Sequence, residues 1–132
     1  MEIKVEKITE FGLMSKACGF TTGKYDVSPD PYLMYKAEHS PIRTQMFVVE
    51  MYDIPTFVSV HLTRHAVGIS HFVRSNRPDR GGDADANRMT PVDHCMLINA
   101  QALISMARKR LCNKASKETR EVMYEMREQV EL

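Results

Sequence analysis

The sequence predicts an α/β domain of the α+β kind, with a small mixed or antiparallel sheet flanked by helices and a long helix towards the C-terminus. Three observations carry this reading. Apolar and polar residues alternate in EIKVEK and again in RTQMFVVEMYD, the period of a half-buried strand. Apolar residues recur at helical spacing from Val92 to Met106 and from Val122 to Val130. A chain of 132 residues is most simply one domain, long enough to bury a core without disulfide support.

Each element follows in order. Ile3 and Val5, set between Glu2, Lys4 and Glu6, form the opening strand, and Phe11 to Phe20 a short helix. Gly23, Pro29 and Pro31 turn TTGKYDVSPDPY into a loop, after which Leu33 to Ala37 make a brief helical turn before His39-Ser40-Pro41. Arg43 to Asp53 is a strand with Phe47, Val49 and Met51 on one face. Pro55 suits the first turn of a helix through FVSVHLTRHAV, which Gly68 ends. HFVRSNR is extended, with His71, Val73, Ser75 and Arg77 on one face, and PDRGGDADANR is a polar loop whose length marks it as either functional or disordered. Thr90, Pro91 and Asp93 look like a helix start, so one long helix is expected to about Leu111, its stripe being Val92, Met96, Asn99, Leu103, Met106 and Arg110. Ser116 caps a last helix that turns Val122, Met126 and Val130 to one side.

The net charge of +1 points to no partner by itself, but positive charge is concentrated in HLTRHAVGISHFVRSNR at 61–77. A local cluster suits a defined anionic ligand better than a nucleic-acid backbone, which calls for basic charge over a whole face. Cys18, Cys95 and Cys112 are odd in number and lack metal-type spacing, which reads as reduced thiols in the cytoplasm. MEIKVEKITEF has no apolar run of signal length and no later segment approaches a membrane span, so neither a membrane nor a nucleic acid is an expected partner.

On a helix over 55–67, His61, Arg64, His65 and Gly68 share a face by the i, i+3, i+4, i+7 rule. A following strand folded over that face adds Ser75 and Arg77 and makes a phosphate pocket; a solvated basic face is the alternative. His61 and His65 have the spacing of a zinc-binding helix, but Leu62 follows where HExxH has glutamate and no third ligand is matched, so no metal is assigned. DADAN at 83–87 imitates a calcium loop, yet Arg88 replaces its glycine and His94 its closing glutamate. Asn99 and Arg110 interrupt an apolar stripe about 16 Å apart along a helix, and a buried guanidinium without a partner is costly. An extended ligand or a neighbouring subunit would satisfy both.

HSPIRTQMFVVEMYDIPTFVSVHLTRH at 39–65 and NAQALISMARKRLCNKASKETR at 99–120 together resemble the flavin-dependent thymidylate synthases, the ThyX family. Collinear signatures carry the resemblance: His39 to Pro41, Pro55, Arg64-His65-Ala66, Ser75-Asn76-Arg77, Asn99-Ala100-Gln101, Arg110, and Ala115-Ser116-Lys117-Glu118. It implies that residues 1–132 are one domain of the thymidylate-synthase-complementing type. It also implies a homotetramer whose active sites draw on several subunits, binding FAD and dUMP, with methylenetetrahydrofolate supplying the carbon and NADPH reducing the flavin. By matched position, Arg64, Ser75, Arg77 and Arg110 correspond to residues holding the dUMP phosphate and base, with Arg110 beside the pyrimidine as the catalytic residue and His61 next to the nucleotide. His65, Asn99 and Gln101 fall at flavin-contacting positions, and His39 lies in the segment approaching the flavin.

Several positions depart from the family pattern. Ala66 stands for the second arginine of Arg-His-Arg, Arg43 for a glutamate, Gln101 for a flavin-binding arginine, His61 for a glutamine and Val73 for a glutamate. The loop at 78–90 replaces a longer helical insertion bearing another nucleotide-binding arginine, a role open to Arg88. These departures motivate a second reading, a noncatalytic pyrimidine-nucleotide-binding homologue that has lost flavin chemistry.

Overall fold

The computed structural model describes residues 1–82 and 84–130. Strand β1 (Glu2–Lys7) is followed by α1 (Phe11–Thr22), α2 (Pro31–Ala37), a 3₁₀ turn at Ser40–Thr44, and β2 (Met46–Pro55). Then come α3 (Thr56–Thr63), β3 (Ile69–Val73), β4 (Pro91–Asn99), α4 (Ala100–Arg110) and α5 (Lys117–Gln129). The four strands form one antiparallel sheet in the order β1-β2-β4-β3.

Period-two patterning positions the core. Phe47, Val49 and Met51 on β2 and Val92, Met96 and Ile98 on β4 are buried on one face, where Leu62 of α3, Leu103 and Met106 of α4, and Val122, Met123 and Met126 of α5 meet them. The opposite face keeps Glu50 half-buried and Phe72 exposed, so this chain covers its sheet on one side only. Ser116 accepts from the Thr119 amide at the start of α5, as expected, and Asp30 accepts from the Tyr32 amide ahead of Pro31, so α2 starts two residues before the expected Leu33.

Three expectations need correction. The segment 91–99 is not the first half of a long helix but the strand β4, paired on both sides, and the helix begins only at Ala100. Spacings Val92, Met96, Asn99 satisfy a helical stripe, while Val92, His94, Met96, Ile98 satisfy a strand equally well. Two neighbouring strands offering backbone partners decided between them. Helix α3 stops at Thr63 instead of running to Val67, and Gly68, at φ +78°, turns the chain into β3. The extended segment ends at Val73, so Ser75 and Arg77 lie beyond the sheet.

Candidate active site

The basic segment splits where α3 ends. His61 is on its last turn; Arg64 and His65 occupy the following bend, where the His65 amide donates to the Leu62 carbonyl at 3.1 Å. The bend then passes beneath α4. The Asn99 amide donates to the Gly68 carbonyl at 3.1 Å, and a Cβ on Gly68 would meet Asn99 Nδ2 at 2.5 Å, so only glycine allows this approach. Asn99 itself caps α4, its Oδ1 accepting from the Ala102 amide at 2.8 Å.

Arg110, at the far end of α4, finds its partners inside the chain. Its Nε donates to His65 Nε2 at 3.1 Å and its Nη2 to the His61 carbonyl at 2.9 Å. Arg110 Nε and Nη2 and Asn99 Oδ1 thus find partners within the chain, which corrects the expectation that an extended ligand or a neighbouring subunit must supply them. Burial, then the nearby Arg64, pulls Arg110 below the ordinary arginine range. His65 is depressed by burial, then by Arg110, Lys109 and His71, and therefore favours its neutral form.

Around His61 the charge is denser than the linear sequence suggests. Burial lowers its basicity first, followed by Arg110, Arg64 and Arg88, so three guanidiniums act on one imidazole. Arg88 belongs to this group because the loop end is pinned to the start of α3. The Phe57 amide donates to the Arg88 carbonyl at 2.9 Å, the Thr56 amide to the Thr90 carbonyl at 3.0 Å, and the Arg88 guanidinium stacks 4.7 Å over the Phe57 ring. His61 Nδ1 lies 3.1 Å from the hydroxyl of Thr119, a fully buried residue, to which Ser116 donates at 2.7 Å; this ties α3 to α5.

A cavity of about 520 Å³ opens beside this cluster. Arg43 from the 3₁₀ turn, residues 64–69 of the bend, and Asn99, Gln101, Ala102 and Ser105 from the start of α4 line it. The lining has two guanidiniums and no carboxylate, and the amino end of α4 adds its partial positive charge. Gln101 Nε2 donates to Glu38 Oε1 at 2.9 Å, and the Glu38 carboxylate is also bound by Arg108 through both terminal nitrogens.

Of the residues singled out by sequence, Arg64, His65, Asn99 and Gln101 meet at this cavity, and His61 and Arg110 are bonded beside it. His39 sits before the 3₁₀ turn with Nδ1 buried and unpartnered. Ser75 and Arg77 are elsewhere: the Arg77 amide donates to Ser75 Oγ, while its guanidinium is exposed and binds Asp79 at 2.7 Å. Among the described residues no group of three or more His, Cys, Asp and Glu could hold a metal ion; Asp83, which opens DADAN, lies outside them.

Sequence reasoning missed a buried histidine, His94, bonded to the half-buried His71. His94 is 1% exposed, with Nδ1 2.9 Å from Ser59 Oγ and Nε2 2.9 Å from His71 Nδ1; His71 Nε2 lies 2.6 Å from the His65 carbonyl. Burial, then His71, pulls His94 down to about 4. The alternation Val92, His94, Met96, Ile98 was the available signal, hidden by the helical reading of the same residues.

No helix among the described residues is long and apolar enough to cross a membrane. No family model and no curated protein matches the sequence. Solved structures do. The thymidylate synthase ThyX of Helicobacter pylori, crystallised with FAD and dUMP, superposes with a TM-score of 0.82 over 99% of this chain and 94% of its own, at 15% identity. A second crystal structure of that enzyme with the same ligands gives 0.81 at 14% identity, covering the same shares of both chains. PolB of Streptomyces cacaoi, a UMP/dUMP methylase bound with 5-Br dUMP, gives 0.69 over 95% of this chain and 88% of its own, at 17% identity. The sheet order, the helices on one face and these superpositions together establish that the chain has the fold of the ThyX thymidylate synthases.

Proposed function

We propose that this protein is a flavin-dependent thymidylate synthase-like enzyme that methylates C5 of a pyrimidine nucleotide, converting dUMP to dTMP. FAD is its cofactor, methylenetetrahydrofolate the one-carbon donor and NADPH the reductant. One observation carries the reading. The cavity at the bend after α3 gathers His65, Asn99 and Gln101, three of the four residues that resemblance assigns to the flavin, together with Arg64 of the nucleotide grip. The ligands of the H. pylori and S. cacaoi structures support the same choice of nucleotide.

The lining suits a cofactor that carries a diphosphate. Arg43, Arg64, His65, Asn99 and Gln101 would hold it, and bound flavin supplies the hydride that completes the methyl group. Arg43 and Gln101 exchange roles in this account. The family pattern has glutamate and arginine at these positions; here one guanidinium faces the same cavity from the other wall. Arg110 commits Nε and Nη2 within the chain, so its charge is fixed before a ligand arrives and can stabilise negative charge on the pyrimidine. Arg64 and Arg88, both exposed beside His61, are suited to the phosphate. Ser75 and Arg77 belong to the phosphate grip only if Arg77 leaves Asp79.

Self-association as a cytoplasmic homotetramer of single domains is part of the proposal. Val67, 93% exposed on the cavity wall, and Phe72, on the uncovered sheet face, are surfaces another copy would bury.

The test is reconstitution with FAD followed by dUMP calorimetry. A yellow protein with a flavin spectrum that binds dUMP, and that rescues a thymidine-requiring strain unless Arg110→Ala is introduced, is the expected result. A colourless protein that still binds dUMP overturns the enzyme reading in favour of a noncatalytic nucleotide-binding homologue.

A further inference from the structure

We infer that Ser59, His94 and His71 are positioning residues for His65, forming a one-way chain of hydrogen bonds that holds the bend after α3 in the geometry Arg110 needs. This deepens the proposed function, because His65 and Arg110 belong to that site.

The direction follows from chemistry at the two ends. The His65 carbonyl can only accept, so His71 Nε2 carries a proton and donates to it across 2.6 Å. With its single ring proton placed on Nε2, His71 accepts at Nδ1, and the proton of His94 is then on Nε2. His94 Nδ1 is left as an acceptor, and Ser59 Oγ donates to it. Each tautomer is thus determined by the next, from the core of the sheet to the bend. On the other side Arg110 Nε can only donate, so His65 Nε2 accepts and its proton sits on Nδ1. His65 is therefore gripped at its carbonyl by β3 and at its ring by α4, leaving one ring donor, Nδ1–H, in a residue that lines the cavity. A phosphoryl or carbonyl oxygen is the ligand group that such a donor recognises.

The location of the chain argues for a purpose beyond packing. His94 lies between Val92 and Met96 on a buried strand face, where an aliphatic side chain would fill the space without the desolvation that an imidazole carries. Both of its ring nitrogens are bonded, and the chain ends at the His65 carbonyl within the bend.

Ring-nitrogen NMR of the ligand-free, histidine-labelled protein tests this without any ligand. His71 and His94 are expected to carry their protons on Nε2, and His65 on Nδ1. In His71→Leu the His65 ring should lose its single tautomer and dUMP affinity should fall about tenfold, the effect of one lost hydrogen bond. His71→Gln, which keeps an N–H for the carbonyl, should restore both. A His94 proton on Nδ1 in the parent, or an unchanged His65 tautomer in His71→Leu, overturns the inference. Should His71→Leu fail to fold, His71→Gln decides, because loss of the His65 Nδ1–H signal in that variant refutes the chain. If the parent itself binds no dUMP, the nucleotide reading fails while the ring spectra still judge the relay.

Discussion

Lowering the pH should destabilise this protein through His94, by an amount that its burial fixes. The imidazole is 1% exposed and held at about 4 in the folded state, against an ordinary value of 6.5. Below pH 6.5 the unfolded chain takes up a proton that the native chain refuses until near pH 4. The unfolded state therefore binds more protons over that window, and stability falls as pH falls. At 1.36 kcal/mol per unit, the loss is about 2 kcal/mol at pH 5 and about 3 kcal/mol at pH 4. The depressed His61 and His65 act in the same direction. Urea unfolding followed by far-ultraviolet circular dichroism, at one protein concentration from pH 7 to pH 4.5, isolates the His94 share when the parent is compared with His94→Gln. The parent should lose about 2 kcal/mol more than the variant between pH 7 and pH 5. Equal losses in the two proteins would refute the argument, because burial of this imidazole would then not exclude its charged form.

Two further predictions concern the bend and the loop. Gly68→Ala forces a side chain to φ +78° and into Asn99, so it should cost about 2 kcal/mol in thermal unfolding and weaken flavin binding in absorbance titrations. Arg88→Ala should weaken dUMP binding about tenfold by calorimetry, as loss of a charge-assisted contact does, whereas Arg77→Ala, whose guanidinium is already paired with Asp79, should change it by less than about threefold.

Much of the candidate site was legible because its residues are chemically conspicuous. Cations packed into 61–77, an asparagine and an arginine interrupting an apolar stripe, and collinear signatures all led to Arg64, His65, Asn99, Gln101 and Arg110. Arg110 was a cation on an apolar stripe in want of partners, and the structure supplies them 45 and 49 residues earlier in the chain. What sequence could not supply was the company each residue keeps. Arg88 joins His61 only because backbone bonds pin the loop end to α3, and Arg77 is directed to Asp79 two residues on.

The sequence by itself determined the elements whose signals are local: β1 and β2 by alternation, α1, and α5 by its serine cap and apolar stripe. A small sheet flanked by helices also follows from those periods, while the pairing that makes it antiparallel throughout is tertiary. Only tertiary structure decided that residues 91–99 are a strand, because their apolar spacing serves either period and the hydrogen-bond partners that choose between them lie on β2 and β3. That choice also created the histidine chain. On a helix His94 would stand one turn before Ile98; on a strand it faces Ser59 and His71 across the core, bonded to residues 35 and 23 positions away. Contacts of that range depend on how the strands register, which no local pattern encodes.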